Sequence, residues 1–332
     1  MLSHQYRFPR TALVRTMGLC LVGLGLVSLL VAGLRSMGGL GRGFPVRDMD
    51  TAVLWAKADL AGRFQDVEIV LVGDSSCLMD VRAVELAERL NRRCINLGTF
   101  SHLGLQSHAR LVSRARERNP IQWVVLLCHP EALRRASVST AHDRFLQEVL
   151  EGRPAAELVE ASWDPAMLLG ISSLNDAFLN RLFPAVLKGG FGPAHGHVGE
   201  LLRVIHENGG SLGDPHRFDP ASAIGRAEFR IGRVVREEAG AFRASLGGRA
   251  RLAVGLTPLP VSVATSSYTD TARDLARELA GLLGADHVLT NLPAVLQDDQ
   301  FASSSHLTPA AARDFTAILA SQLDPVVVRP LP

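Results

Sequence analysis

Short apolar runs alternate along this chain with segments in which apolar residues recur at helical spacing. Residues 67–72, 94–97 and 123–127 read VEIVLV, CINL and WVVLL, and each run is followed by a glycine or by a Cys-His-Pro turn. Between these runs, residues 81–91 and 105–118 repeat apolar side chains every three to four positions. Apolar strands that alternate with helices predict parallel βαβ units with both faces of the sheet covered.

The middle of the chain breaks this alternation, which resumes near residue 250. Residues 189–213 contain eight glycines, which is typical of loops. The elements expected around and after this segment are helices at 144–150, 167–187 and 224–246, a strand at 252–256, a helix at 270–283, a strand at 287–289 and a last helix at 309–323 with Thr308 as N-cap. The pattern predicts one doubly wound α/β domain over residues 67–323 with a helical insert at about 131–248.

A different pattern occupies residues 16–34, where 19 consecutive residues carry no charge. A helix of this length spans most of the roughly 30 Å hydrocarbon core of a bilayer. Arg7, Arg10 and Arg15 precede it, and no small-residue cleavage pattern follows it. The segment predicts an uncleaved transmembrane signal anchor, with a buried core helix as the alternative.

The anchor sets the expected organisation of the remaining chain. Residues 1–15 would form a cytoplasmic tail, and residues 35–66 a juxtamembrane linker with a short amphipathic helix near 52–61. Residues 324–332 would form a C-terminal tail. The expected location is the inner (cytoplasmic) membrane, crossed once, with the α/β domain on the extracytoplasmic (periplasmic) side.

The amino-acid composition excludes several classes of protein. The 332 residues are 47% hydrophobic and 20% charged, and their mean hydropathy is +0.15. A single uncharged run excludes a polytopic membrane protein, and four cysteines exclude a disulfide scaffold. The net charge of +2 gives no support for nucleic-acid binding.

Reactive side chains follow the predicted strands, where functional residues of open parallel sheets lie. The first strand ends in Gly73-Asp74-Ser75, which places a serine at the start of a helix. A serine there is positioned for nucleophilic attack, with its own N–H available to an oxyanion. His306, just before the last helix, is the candidate general base. Cys77 is an alternative nucleophile that lacks any supporting motif.

The positions and spacing of these motifs resemble those of the SGNH/GDSL hydrolase superfamily over residues 67–323. Gly73-Asp74-Ser75 matches its nucleophile block, and His306-Leu-Thr-Pro matches its last block. Gly98 or Gly104 matches the glycine that follows the second strand. The resemblance implies a flavodoxin-like three-layer sandwich, Ser75 as nucleophile, His306 as base, and the N–H groups of Ser75 and one of these glycines as oxyanion donors.

Two residues depart from the family pattern. Ser303 stands where the family has an aspartate three residues before the histidine, so Asp298 or Asp299 substitutes, or the site is a Ser–His dyad. The asparagine of the third block is also missing, since the matching stretch is Cys128-His129-Pro130. One oxyanion donor is therefore absent unless His129 replaces it.

The function implied by the resemblance is that of the membrane-anchored branch, which includes alginate acetylation proteins and the D-alanylation protein of cell walls. The chain is expected to be an acyltransferase or esterase that O-acetylates a polysaccharide (an exopolysaccharide) or cell-wall polymer, with a membrane-bound partner supplying the acyl group. The alternative is a catalytically inactive subunit that serves assembly or glycan binding in a polysaccharide biosynthesis or export complex.

No cofactor and no metal are expected from the sequence. His195 and His197, with His206 and His216 nearby, lack an accompanying ligand pattern and are interpreted as part of a flexible loop. The remaining cysteines are interpreted as small buried hydrophobic residues.

Overall fold

A computed structural model of the chain describes residues 11–20, 22, 23, 26, 49–152, 197–222, 229–248 and 250–327. Two compact units are present, Met1–Phe44 with Trp163–Gly199 and Pro45–Ser162 with Glu200–Pro332. In the first unit, residues 11–20 are helical. None of the helices in the described ranges has both the length and the apolar character that a membrane crossing requires. Most of the predicted anchor, residues 16–34, lies outside those ranges.

The second unit is built on a parallel sheet of five strands, counted over the described residues. The strands in chain order are β1 (Ile69–Gly73), β2 (Cys94–Asn96), β3 (Trp123–Cys128), β4 (Arg251–Leu256), β5 (Leu259–Pro260), β6 (His287–Val288) and β7 (Val295–Leu296). The sheet has the order β2-β1-β3-β4-β6, and β5 pairs with β7 beside it. Every ladder is parallel, so the carboxyl ends of the central strands meet at one edge.

Helices cover both faces of this sheet. In chain order, the helices described from residue 49 onward are α1 (Met49–Arg63), α2 (Ser75–Asp80), α3 (Ala83–Leu90), α4 (Leu105–Arg116), α5 (Pro130–Leu133), α6 (Thr140–Leu150), α7 (His197–Glu207), α8 (Arg233–Leu246), α9 (Tyr268–Leu283) and α10 (Pro309–Val327). One core lies between the sheet and α1, α4, α8 and α9, and the other lies between the sheet and α2, α3 and α10. The predicted α/β class with a parallel sheet is confirmed.

The strands form where the apolar runs predict them because both faces of each central strand are buried. All five residues of β1 and all six of β3 are inaccessible to solvent or nearly so. A parallel strand covered on both faces needs apolar side chains at successive positions, which is the pattern in the sequence.

The boundaries of the domain differ from the predicted ones at both ends. Helix α1 lies within the predicted linker, yet Leu54 and Leu60 are fully buried, so this helix is part of the unit that contains the sheet. Helix α10 continues past Leu323 and includes Pro325, because burial of Val327 against the second core holds its last turn.

The insert is only partly within the described residues. The predicted helix at 224–246 begins at Arg233, and the one at 144–150 begins a turn earlier, at Thr140. The predicted helix at 167–187 lies outside the described ranges. The predicted helix at 81–91 corresponds to α3, which begins at Ala83, and α2 is a separate short helix before it, with Val81 and Arg82 between the two.

Candidate active site

The turn from β1 into α2 places Ser75 at the carboxyl edge of the sheet. Gly73 has φ +150°, and a Cβ there would overlap the carbonyl oxygen of Leu127 on the neighbouring strand. Only glycine fits this position. Asp74 is the N-cap, and Ser75 is the first helical residue, so its N–H has no partner within the helix.

Asp74 holds this turn to the end of β3. Its Oδ1 accepts hydrogen bonds from Ser76 N at 2.9 Å and Ser76 Oγ at 2.6 Å, and its Oδ2 accepts one from His129 N at 2.8 Å. Burial raises the pKa of the Asp74 carboxyl, and these hydrogen bonds only partly offset that effect. Asp74 therefore has a structural task, while the Ser75 side chain remains free to face the site.

His306 is carried by a tight turn between Phe301 and Leu307, which form an antiparallel bridge. Ser303 Oγ accepts a hydrogen bond from His306 N at 3.1 Å, so the residue at the expected aspartate position shapes the turn instead. Leu307 N donates to Asp80 Oδ1 at 2.8 Å.

Asp80 fixes this turn from inside the protein. The side chain is fully buried, and its Oδ2 has no hydrogen-bond partner among the described residues. Burial places the pKa of the Asp80 carboxyl well above its usual value, and the bond from Leu307 N opposes that shift only in part. The Asp80 side chain therefore ties α2 to the His306 turn.

The structure brings Ser75 and His306 together, as the sequence analysis expects. The distance from Ser75 Oγ to His306 Nε2 is 3.0 Å. On the other side of the ring, His306 Nδ1 lies 3.2 Å from Asp214 Oδ2. With a proton on Nδ1 donated to Asp214, Nε2 is free to accept the Ser75 hydroxyl proton, which is the arrangement of a serine–histidine–aspartate triad.

Asp214 is the residue that sequence reasoning missed. Asp214, and neither of the predicted substitutes Asp298 and Asp299, lies beside His306 Nδ1. Asp298 Oδ1 instead accepts a hydrogen bond from Ser262 N at 3.0 Å, and Asp299 is exposed at the surface. The dyad alternative is replaced by a three-residue arrangement.

The Asp214 carboxylate is held in place and kept charged. Its Oδ1 accepts hydrogen bonds from His216 N at 3.0 Å and pairs with His216 Nδ1 at 2.6 Å. Burial raises the pKa of Asp214, but the hydrogen bonds from His216 and His306 outweigh burial and leave this pKa below its usual value. A charged carboxylate is what stabilises an imidazolium on His306.

The loop that carries Asp214 is fastened to the sheet by its preceding residues. Asn96 N donates to the Gly209 carbonyl at 2.8 Å, and Leu212 N donates to the Leu78 carbonyl at 3.0 Å. Ser211 Oγ donates to the Val81 carbonyl at 2.6 Å. These bonds reach β2, the second half of α2 and its C-cap residue, so the acid is held by the helix that begins with Ser75.

Neither predicted glycine is well suited to donate its N–H to an oxyanion. Gly98 N donates to Asn96 Oδ1 at 2.8 Å. Gly104 lies against the carboxylate of Glu238, which also accepts a hydrogen bond from Gln106 N at 3.3 Å. A negative charge beside Glu238 would be repelled, so these two positions do not supply the donors expected of them.

His129 is better suited to that task. Its Nδ1 accepts a hydrogen bond from Glu131 N at 3.3 Å, which puts the ring proton on Nε2. That nitrogen is buried and has no partner among the described residues. Burial, with the charge of His306, lowers the pKa of His129 to about 3, so the ring stays neutral and keeps one unused N–H donor near the triad.

The cysteines do not compete with Ser75. Cys77, Cys94 and Cys128 are free and buried, and Cys20 is free and exposed, so the four thiols of the described chain form no disulfide. Burial raises the pKa of the Cys77 thiol far above its ordinary range, which disfavours the thiolate that attack requires.

A buried lysine connects α1 to the Asp214 loop. Lys57 is fully buried, and its Nζ donates to the Asn96 carbonyl at 2.7 Å and to the Gly210 carbonyl. Burial lowers the pKa of Lys57 to about 7. A neutral amine has two N–H groups, and these two carbonyls accept both.

We expect Lys57→Met to remove a pH dependence of stability. Between about pH 7 and 10.5 the unfolded chain keeps a proton on Lys57 that the folded chain has lost. Raising the pH through that window therefore stabilises the wild type relative to the variant, by up to about 1.4 kcal/mol per pH unit. Urea unfolding of both proteins at several pH values measures the difference in this slope.

The control for this measurement is Arg63→Met on the same helix, where the side chain is 70% exposed. A guanidinium does not titrate in the window, so this variant keeps the wild-type slope. A constant difference between wild type and Lys57→Met from pH 7 to 10 would contradict the assignment of a neutral buried amine.

The sequence has no detectable relative among the family models and curated proteins with which it was compared. The groups available for chemistry are the hydrogen-bonded chain Ser75–His306–Asp214, the free N–H of Ser75 and the neutral His129 ring. All of these lie at the carboxyl edge of a parallel sheet.

Proposed function

We propose that this protein is an extracytoplasmic, membrane-anchored serine acyltransferase or esterase of the SGNH type. The observation that carries the proposal is the continuous hydrogen-bonded chain Ser75–His306–Asp214, with distances of 3.0 and 3.2 Å. Such a chain has a specific chemical use, because it raises the nucleophilicity of a hydroxyl that is otherwise inert at neutral pH.

In the proposed reaction, Ser75 Oγ attacks the carbonyl carbon of an acyl donor while His306 Nε2 takes its proton. Asp214 stabilises the resulting imidazolium through Nδ1–H. The oxyanion accepts hydrogen bonds from Ser75 N and His129 Nε2. His306 then returns the proton to the leaving group, and the acyl group remains on Ser75 as an ester.

The second half of the proposed reaction repeats these steps with an acceptor hydroxyl in the place of the serine hydroxyl. His306 deprotonates the acceptor, the acceptor oxygen attacks the acyl-serine, and the proton returns to Ser75. A sugar hydroxyl as acceptor gives transfer, and water gives hydrolysis. The resemblance to membrane-anchored O-acetylation proteins favours a polysaccharide or cell-wall polymer as acceptor and a membrane-bound partner as acyl source.

The alternative of an inactive subunit depends on the missing aspartate and asparagine. Asp214 offers a carboxylate to His306, and His129 offers an N–H donor, so both reasons for that alternative are weakened. The active enzyme is therefore the better-supported proposal.

A fluorophosphonate probe tests the nucleophile directly. We expect the full chain, purified in a mild detergent, to be labelled at Ser75 and Ser75→Ala to remain unlabelled, because only an activated serine reacts with the probe. Ser304→Ala, a change at an exposed serine on the His306 turn, is the control and should label like wild type. Equal labelling of wild type and Ser75→Ala would refute the proposed function.

A further inference from the structure

A second group of chemistry-bearing side chains lies away from the triad. Asp50 is in the first turn of α1, His102 is in the loop between β2 and α4, and His142 is in the first turn of α6. One ligand atom from each lies within 4.8 Å of the other two. The three residues come from distant parts of the sequence, and the fold brings them together where α6 packs on α1 and α4.

The donor set matches a borderline divalent cation. Two imidazole nitrogens and one carboxylate oxygen are common zinc ligands, and in zinc sites with three protein ligands a water molecule takes the fourth position. His102 Nε2 lies 3.7 Å from Asp50 Oδ2. Ligand atoms around a tetrahedral zinc ion are about 3.3 Å apart, so small side-chain rotations would complete the geometry.

The histidines are also oriented by their surroundings. Ser139 N donates to the His102 carbonyl at 2.8 Å, and Ser139 Oγ bonds to His142 Nδ1 at 2.7 Å. Metal-binding histidines usually hold one ring nitrogen in this way while the other binds the ion. Phe100 stacks on the His102 ring with an interplanar angle of 8°, which fixes the plane of that ring.

A simple histidine–aspartate ion pair would not account for the second histidine of this group. His206 and Asp59 form such a pair elsewhere, at 3.2 Å. The group at Asp50 adds a second imidazole, and the two histidine ring centroids are only 4.5 Å apart. One cation bound between the two rings would accept a nitrogen from each of them.

We propose that Asp50, His102 and His142 bind a Zn²⁺ ion that joins α1, the β2–α4 loop and α6. The residues on either side of His102, Ser101 and Leu103, line a cavity of about 40 Å³ that also contacts Asp74. The ion would therefore hold one wall of the cavity beside the candidate active site. This proposal is independent of the acyl chemistry, because none of its ligands belongs to the triad.

Metal titration of the full chain, without a polyhistidine tag, tests the site. Isothermal titration of the metal-free protein with Zn²⁺ should give one equivalent, and Co²⁺ should give visible absorption bands of a tetrahedral complex. Mg²⁺ should not compete, because imidazole ligands do not suit it. His142→Ala and Asp50→Asn should weaken Zn²⁺ binding by more than about 100-fold, and Ser139→Ala by about 10-fold.

The matched control is His206→Ala, which removes the histidine of the other ion pair and should bind Zn²⁺ like wild type. Circular dichroism of each metal-free variant establishes that it folds, and the isosteric Asp50→Asn covers the case in which an alanine variant does not. The proposal is overturned if wild type fails to bind Zn²⁺ in the micromolar range, or if Asp50→Asn binds it with unchanged affinity. Either result leaves phosphonate labelling of Ser75 unaffected.

Discussion

Asp214→Asn is expected to lower kcat for ester hydrolysis by about 10⁴-fold, the loss typical of a triad whose acid becomes an amide. The asparagine NH₂ would donate to His306 Nδ1 and so move the ring proton to Nε2. That tautomer cannot accept the Ser75 proton, although the side-chain shape is preserved. Hydrolysis of p-nitrophenyl acetate by the full chain measures the effect, with kcat reduced and KM nearly unchanged.

Asp299→Asn provides the matched control for this experiment. It makes the same chemical change at the exposed aspartate that sequence reasoning offered as the acid, and it should retain wild-type kcat. If Asp214→Asn kept a tenth or more of the wild-type kcat, Asp214 would not be the acid of a working triad. A loss confined to Asp299→Asn would instead support the original sequence-based choice.

Gly210→Ala is expected to lower the free energy of unfolding by about 3 kcal/mol or more. Gly210 has φ +100°, a conformation that costs a residue with a side chain about 1–3 kcal/mol. A Cβ at this position would also overlap the Asn96 carbonyl oxygen and approach Leu60 Cδ2 to 2.9 Å. The Asn96 carbonyl also accepts a hydrogen bond from Lys57, so it cannot move away without disturbing that bond. Urea unfolding followed by circular dichroism measures the loss.

The same substitution at Gly240 should have the opposite sign. Gly240 lies inside α8, and a Cβ there meets no heavy atom within 4 Å among the described residues. Alanine has the higher helix propensity and restricts the unfolded chain, so Gly240→Ala should add about 0.5–1 kcal/mol. Equal stabilities for the two variants would contradict the close packing of the Asp214 loop on β2.

The sheet could be predicted because its signals are local. Each central strand is buried on both faces, so its apolar run is continuous and is followed by a turn. Helix α1 is harder to assign to the domain from sequence, because it packs on several elements and has no single apolar stripe. Lys57 in its middle also resembles a surface position, although the side chain is buried.

The site residues that could be predicted are likewise those with a local sequence signal. Ser75 and His306 each lie in a turn directly attached to a strand or helix that the sequence reveals. Asp214 is 92 residues from His306 and lies in a glycine-rich segment that resembles an ordinary loop. Its position depends on tertiary contacts of Ser211, Leu212 and Lys57, none of which has a local sequence signal.

In the proposed enzyme the insert supplies the acid, so Asp214 and His306 are 92 residues apart, whereas SGNH/GDSL hydrolases have both residues in one short motif. A sequence signature that requires both residues within a few positions of each other would reject a chain built in this way, even with its chemistry intact. Homologous-looking chains with serine in place of that aspartate should therefore be searched in three dimensions for a carboxylate delivered from a distant insertion, before they are set aside as degenerate copies.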